Sequence, residues 1–166
     1  MEKSINKYKL KQHIFFTSSS QETQKAASLF AEKLLRTKER NKAIVIGLQG
    51  ELGSGKTTFV QGFAKGLGIT EKVLSPTFVI IKSYKIPDTR HKVRNFYHID
   101  CYRIAKPKEI LELGWKHMVA DPANIIVVEW SERIKSILPK GSIIIDFQTR
   151  DKNKRKLHFV RGYGKI

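Results

Sequence analysis

The chain has 166 residues, a formal net charge of +17, 40% hydrophobic residues and a single cysteine. At about 150 residues per domain this predicts one domain, residues 1–166, long enough to bury a core without covalent staples. One cysteine excludes an internal disulfide framework and a multi-cysteine zinc site, and no apolar run approaches the roughly 18 residues of a membrane span.

The basic stretch Met1–Gln12 leads into no apolar signal region, so a cytoplasmic location and no membrane partner are expected. The basic excess fills residues 1–42, 82–108 and 150–166 and avoids the rest. It reads either as a field that attracts phosphate-rich partners or as lysine-rich, solvated faces.

In chain order, His13-Ile14-Phe15-Phe16 predicts an edge strand. Thr17-Ser18-Ser19-Ser20 offers N-cap oxygens, and Ala26, Ala27, Leu29, Phe30, Leu34 and Leu35 at helical spacing predict a helix over 21–37. Ala43 to Leu48 is apolar without alternation, the pattern of a strand buried on both faces. A glycine-rich loop and a helix from Lys56 to Gly66 follow. Phe78–Tyr84 and Asn95–Ile99 predict strands, and Pro107 introduces a short helix over Glu109–Gly114. Ile125–Val128 is a second fully apolar strand, and Ser131–Leu138 a short helix ending before Pro139. Ile143–Phe147 and Leu157–Val160 predict a closing strand pair around a basic turn. Buried strands alternating with helices predict an α/β fold: a mostly parallel central sheet flanked by helices, with antiparallel strands at its edges.

Gly50-Glu51-Leu52-Gly53-Ser54-Gly55-Lys56-Thr57 matches G-x-x-x-x-G-K-[ST] at every fixed position. Glycines open backbone angles closed to other residues, so successive N–H groups can form a nest for phosphate oxygens at a helix N-terminus. Lys56 is placed to reach the β- and γ-phosphates and the Thr57 hydroxyl to ligate Mg²⁺; Glu51, Leu52, Gly53, Ser54, Gly55 and Thr58 complete the nucleotide-binding set. The motif thus points to nucleotide phosphates and Mg²⁺ as expected ligands.

Four apolar residues followed by Glu129 put a carboxylate at the C-terminal end of a central strand, where ligands sit in open α/β sheets. Such a group can hold Mg²⁺ or its waters, or polarise an attacking water. Trp130 reads as a packed aromatic or as a lid on the site. Alternation places His98 and Asp100 on one side of their strand. Asp100 can accept from a metal-bound water or act as a base, and Arg103 can face a phosphoryl group or pair with Asp100. In Ser75-Pro76-Thr77-Phe78, Thr77 reads as a switch residue or as a polar strand cap. Cys101 reads as a buried, inert thiol, and Lys152–Lys156 as a solvated hairpin tip or a phosphate contact.

Taken together, the phosphate loop with Thr58-Phe59, Ser75-Pro76-Thr77-Phe78, His98-Ile99-Asp100-Cys101-Tyr102-Arg103, Glu112-Leu113-Gly114 and Val128-Glu129-Trp130 resembles the TsaE (YjeE) family. The likeness runs from about Ala43 to Trp130. It implies a P-loop fold and a weak, Mg²⁺-dependent ATPase that supports threonylcarbamoyladenosine modification of tRNAs reading codons that begin with adenine. It also implies the protein partners TsaD and TsaB. By position it implies Thr57 and Glu129 as Mg²⁺ ligands, Asp100 and Lys56 in hydrolysis, Thr77 as the switch and Trp130 beside the nucleotide. The adenine would fall near Ser20–Thr23, and Lys152 or Arg155 would contact nucleotide from the last hairpin. Cys101 and Ser54 depart from the commoner Leu and Ala, and the charge is higher than the family leads one to expect, which leaves direct tRNA contact open. The alternatives are a small-molecule P-loop kinase and a nucleic-acid-binding module whose loop is structural.

Overall fold

The computed structural model describes residues 13–37, 40–87 and 92–161. Seven strands form one sheet: β1 (His13–Thr17), β2 (Ile44–Gly50), β3 (Ile81–Lys85), β4 (Asn95–Asp100), β5 (Asn124–Glu129), β6 (Ile143–Thr149) and β7 (Arg155–Arg161). Their order across the sheet is β1-β7-β6-β2-β5-β4-β3. β6, β2, β5 and β4 are mutually parallel, whereas β1, β7 and β3 pair antiparallel at the two edges. This is the α/β architecture that the alternating pattern predicts, of the P-loop NTPase-like kind that the resemblance implies.

The helices follow from local chemistry. α1 (Ser20–Leu35) starts at Ser19, whose hydroxyl accepts from the Glu22 N–H at 3.1 Å. α2 (Lys56–Gly66) starts at Gly55, which holds φ +101°. α1 and α2 cover one sheet face, over Ile46, Leu48, Phe96, Ile125 and Val127. The other face buries Val45, Ile99, Ile126 and Val128 under α3 (Pro107–Glu112), α4 (Trp115–Ala120) and a 3₁₀ helix (Ser131–Ile137). Two covered faces explain why β5 is buried at all six positions and why its sequence does not alternate.

Two predicted elements change and one is new. The expected strand over Phe78–Tyr84 begins only at Ile81, because the Pro76 carbonyl takes the N–H groups of Val79 and Ile80 and closes a turn there. α4 was not expected; Gly114 at φ +88° ends α3 and lets a second short helix begin at once, burying Trp115. The helix expected before Pro139 is 3₁₀, broken at Ile134. The basic Met1–Gln12 segment and Arg90 of the lysine- and arginine-bearing 82–94 stretch lie outside the described residues.

Candidate nucleotide site

β2, β5 and β4 end side by side, at Gly50, Glu129 and Asp100. The chain leaves β2 toward β5 and returns on the opposite side at β6, so β2 marks the point where strand order reverses. Ligands bind outside the carboxyl ends of strands at such a point. Register places Asp100 directly opposite Glu129 and His98 opposite Val127, all on the sheet face covered by α2.

Gly50 opens the loop at φ +130°, and a Cβ there would come within 2.4 Å of the Phe147 carbonyl oxygen. No other residue fits without moving β6. The Ser54 N–H closes the loop on the Glu51 carbonyl at 3.2 Å, and the Phe59 N–H makes the first helical bond to Gly55. Leu52 and Glu51 are exposed at the loop tip, Gly53 faces open space, and Thr58 lies half-buried in the first turn of α2.

Lys56 is buried, at 4% exposure, yet it is a cation. Its Nζ donates to the carbonyls of Gly50 at 2.6 Å and Glu51 at 2.8 Å, and lies 4.0 Å from the centre of the Trp130 ring. Burial lowers the Lys56 pKa from the ordinary lysine value, while Glu129, Glu132 and Asp100 oppose that shift. The ammonium therefore sits in the concavity of the loop, held by groups it could exchange for anionic oxygens.

Thr57 and Glu129 come together across 72 residues of sequence. The Thr57 hydroxyl lies 3.1 and 3.0 Å from the two Glu129 carboxylate oxygens. His98 Nε2 lies 2.8 Å from Glu129 Oε1. Asp100 is equally enclosed: Oδ2 accepts from Ser75 at 2.6 Å and Thr77 at 2.9 Å, and Oδ1 from the Tyr102 N–H at 2.8 Å.

The two non-glycine residues with positive φ among those described, Ile80 at +67° and Trp130 at +57°, both border this site. Ile80 ends the turn that carries Ser75 and Thr77, and its carbonyl accepts the Asp100 N–H at 2.9 Å. Trp130 directly follows Glu129 and turns its ring over Lys56. Strain of this kind persists where surrounding contacts over-determine the backbone.

The basic hairpin also reaches the loop. Arg155 Nη2 donates to the Gly53 carbonyl at 3.3 Å, while Nη1 binds carbonyls of its own turn. Arg155 pairs with Thr17 across β7 and β1, which brings the N-terminus of α1 to the loop side of the sheet. Arg103 does not take the alternative of pairing with Asp100; its guanidinium lies 4.7 Å over the exposed Phe78 ring. Ser75 is the Asp100 partner that sequence reasoning passed over in favour of Thr77, although both hydroxyls flank Pro76.

The loop and its carboxylates fit a nucleotide with a divalent cation. A hydroxyl and a carboxylate are the hard oxygen donors that Mg²⁺ takes, and they already face each other at the mouth of the loop. Among the described residues no group of three or more His, Cys, Asp or Glu side chains could hold a metal ion without further ligands.

The family model for "Threonylcarbamoyl adenosine biosynthesis protein TsaE" matches residues 17–157. The chain belongs to the TsaE family. Among TsaE relatives, the "tRNA threonylcarbamoyladenosine biosynthesis protein TsaE" of Rickettsia typhi is 39% identical over 139 residues, covering 83% of this chain and 88% of that one. The Haemophilus influenzae protein of the same name is 36% identical over 122 residues, covering 74% and 73%. The crystal structure of Bacillus subtilis YdiB superposes with a TM-score of 0.66 at 31% identity, covering 92% of this chain and 87% of that one. TsaE membership places the chain in tRNA threonylcarbamoyladenosine biosynthesis. No helix among the described residues is long and apolar enough to cross a membrane.

Proposed function

We propose that this chain is a Mg²⁺-dependent ATPase that acts as an accessory subunit of tRNA threonylcarbamoyladenosine synthesis, together with TsaD and TsaB. The observation that carries the reading is the Thr57 hydroxyl set against both oxygens of the buried Glu129 carboxylate, at the N-terminus of α2. When bound, Mg²⁺ would supply charge neutralisation to the phosphates. Thr57 and Glu129 would hold it. The loop from Glu51 to Thr58 would cradle the phosphates, with Lys56 exchanging its loop carbonyls for phosphate oxygens. Trp130 would close over that ammonium.

Asp100 would orient or deprotonate the attacking water. Its Oδ2 accepts from Ser75 and Thr77 and its Oδ1 from the Tyr102 N–H, which leaves one acceptor site of the carboxylate for that water. Arg155, already on the Gly53 carbonyl, is the hairpin residue placed to add positive charge. The charge of +17 makes a direct tRNA contact a further part of the proposal.

The test is ATP hydrolysis by the purified protein, alone and with TsaD and TsaB, with Mg²⁺ and with EDTA. Weak, EDTA-sensitive hydrolysis that changes when the partners are added supports the reading. Absence of hydrolysis in every condition overturns it, and phosphoryl transfer to a metabolite in preference to water would make the chain a kinase.

A further inference from the structure

We propose that His98 is a positioning residue that holds the Glu129 carboxylate in register with Thr57. This rests on the nucleotide-site reading above and adds a residue to it. His98 is fully buried, and its Nε2 lies 2.8 Å from Glu129 Oε1. Glu129 is its only polar partner, because Nδ1 is buried without one among the described residues. A histidine kept only for packing would gain nothing from a polar ring in this place.

The hydrogen-bond pattern sets the tautomer. Nε2 faces a carboxylate and carries the proton; Nδ1 keeps a lone pair, and an unpaired acceptor is tolerated better than an unpaired N–H. The Nε2–H thus fixes the carboxylate in place. Oε1 accepts from below through His98, and both oxygens stay turned toward Thr57 at the mouth of the loop. Strand geometry provides this: His98 lies two residues before Asp100, so both share the face on which Glu129 stands. Outer partners of metal-holding carboxylates typically contribute 10–100-fold to metal affinity or activity.

Three variants test the proposal. His98→Gln carries an amide N–H to about the position of Nε2. His98→Asn is polar but too short to reach Glu129. His98→Leu fills the space without a donor. Two readouts are taken in the full chain: the Mg²⁺ concentration that half-saturates ATP hydrolysis, and the Mg²⁺ concentration that half-saturates the ADP-induced rise in melting temperature.

In His98→Leu and His98→Asn both concentrations should rise about 10-fold or more. His98→Gln should stay within about 3-fold of the parent, following its ability to replace the hydrogen bond. Unchanged Mg²⁺ dependence in His98→Leu overturns the proposal. Should that variant fail to fold, equal Mg²⁺ dependence in His98→Gln and His98→Asn overturns it instead. If the parent chain itself shows no Mg²⁺-dependent response to ADP, the nucleotide-site reading falls first and the role of His98 falls with it.

Discussion

At the residue scale the site is a set of buried charges held by neighbours. Lys56 donates to two loop carbonyls and stands among three carboxylates. Lys56→Ala should abolish nucleotide binding, read as loss of the ATP-induced rise in melting temperature. Glu129→Gln removes the charge and keeps the shape, so hydrolysis should fall about 10²–10³-fold while ADP still binds; equal losses of both would contradict the division of roles. Cys101 follows Asp100 directly and is fully buried. Burial, followed by the nearby Asp100 carboxylate, pushes its thiol up to about 12. It should resist a thiol reagent at pH 8 in the native chain and react fully in denaturant. Because the unfolded thiol releases its proton near 9.0 and the folded one near 12, this group lowers stability as pH rises between those values.

At the element scale, α2 presents the loop because α1 holds it against the sheet. The contact is backbone on backbone. A Cβ at Gly62 would come within 2.2 Å of the Gln24 carbonyl oxygen, and one at Gly66 within 2.3 Å of that of Ser28. Gly62→Ala raises helix propensity by about 1 kcal/mol, but overpacking costs about 1–3 kcal/mol and here meets backbone that cannot rotate away. Steric cost should win, and the melting temperature should drop by roughly 2–8 °C in a thermal scan. An unchanged or higher value would mean that α1 rides loosely on α2.

At the scale of the whole molecule, net charge opposes compaction. A chain of +17 repels itself, and salt shortens the screening length from about 10 Å at 0.1 M to about 3 Å at 1 M. Melting temperature should therefore rise with sodium chloride over that range by a few degrees. The opposite trend should hold for any tRNA bound: its affinity should fall steeply with salt. A flat melting temperature would mean that the charges are already paired or too widely spaced to interact.

Much of this molecule is local and so was legible in the chain. The phosphate loop is contiguous, and α2 spans the predicted Lys56–Gly66. Unbroken apolar runs marked β2 and β5 as central because only a strand covered on both faces has no need to alternate. Alternation likewise placed His98 beside Asp100. What tertiary structure decided was pairing across distance. Parallel register sets Asp100 opposite Glu129, and helix packing sets Thr57 on that carboxylate. The fold of the hairpin, not its composition, brings Arg155 to Gly53 while the other basic side chains of the tip carry no such contact. The αL backbone of Ile80 and Trp130 was invisible as well, since neither residue favours positive φ by itself. Propensity acts over a few neighbouring residues, whereas these angles are imposed by strands and turns that meet only once the sheet has formed.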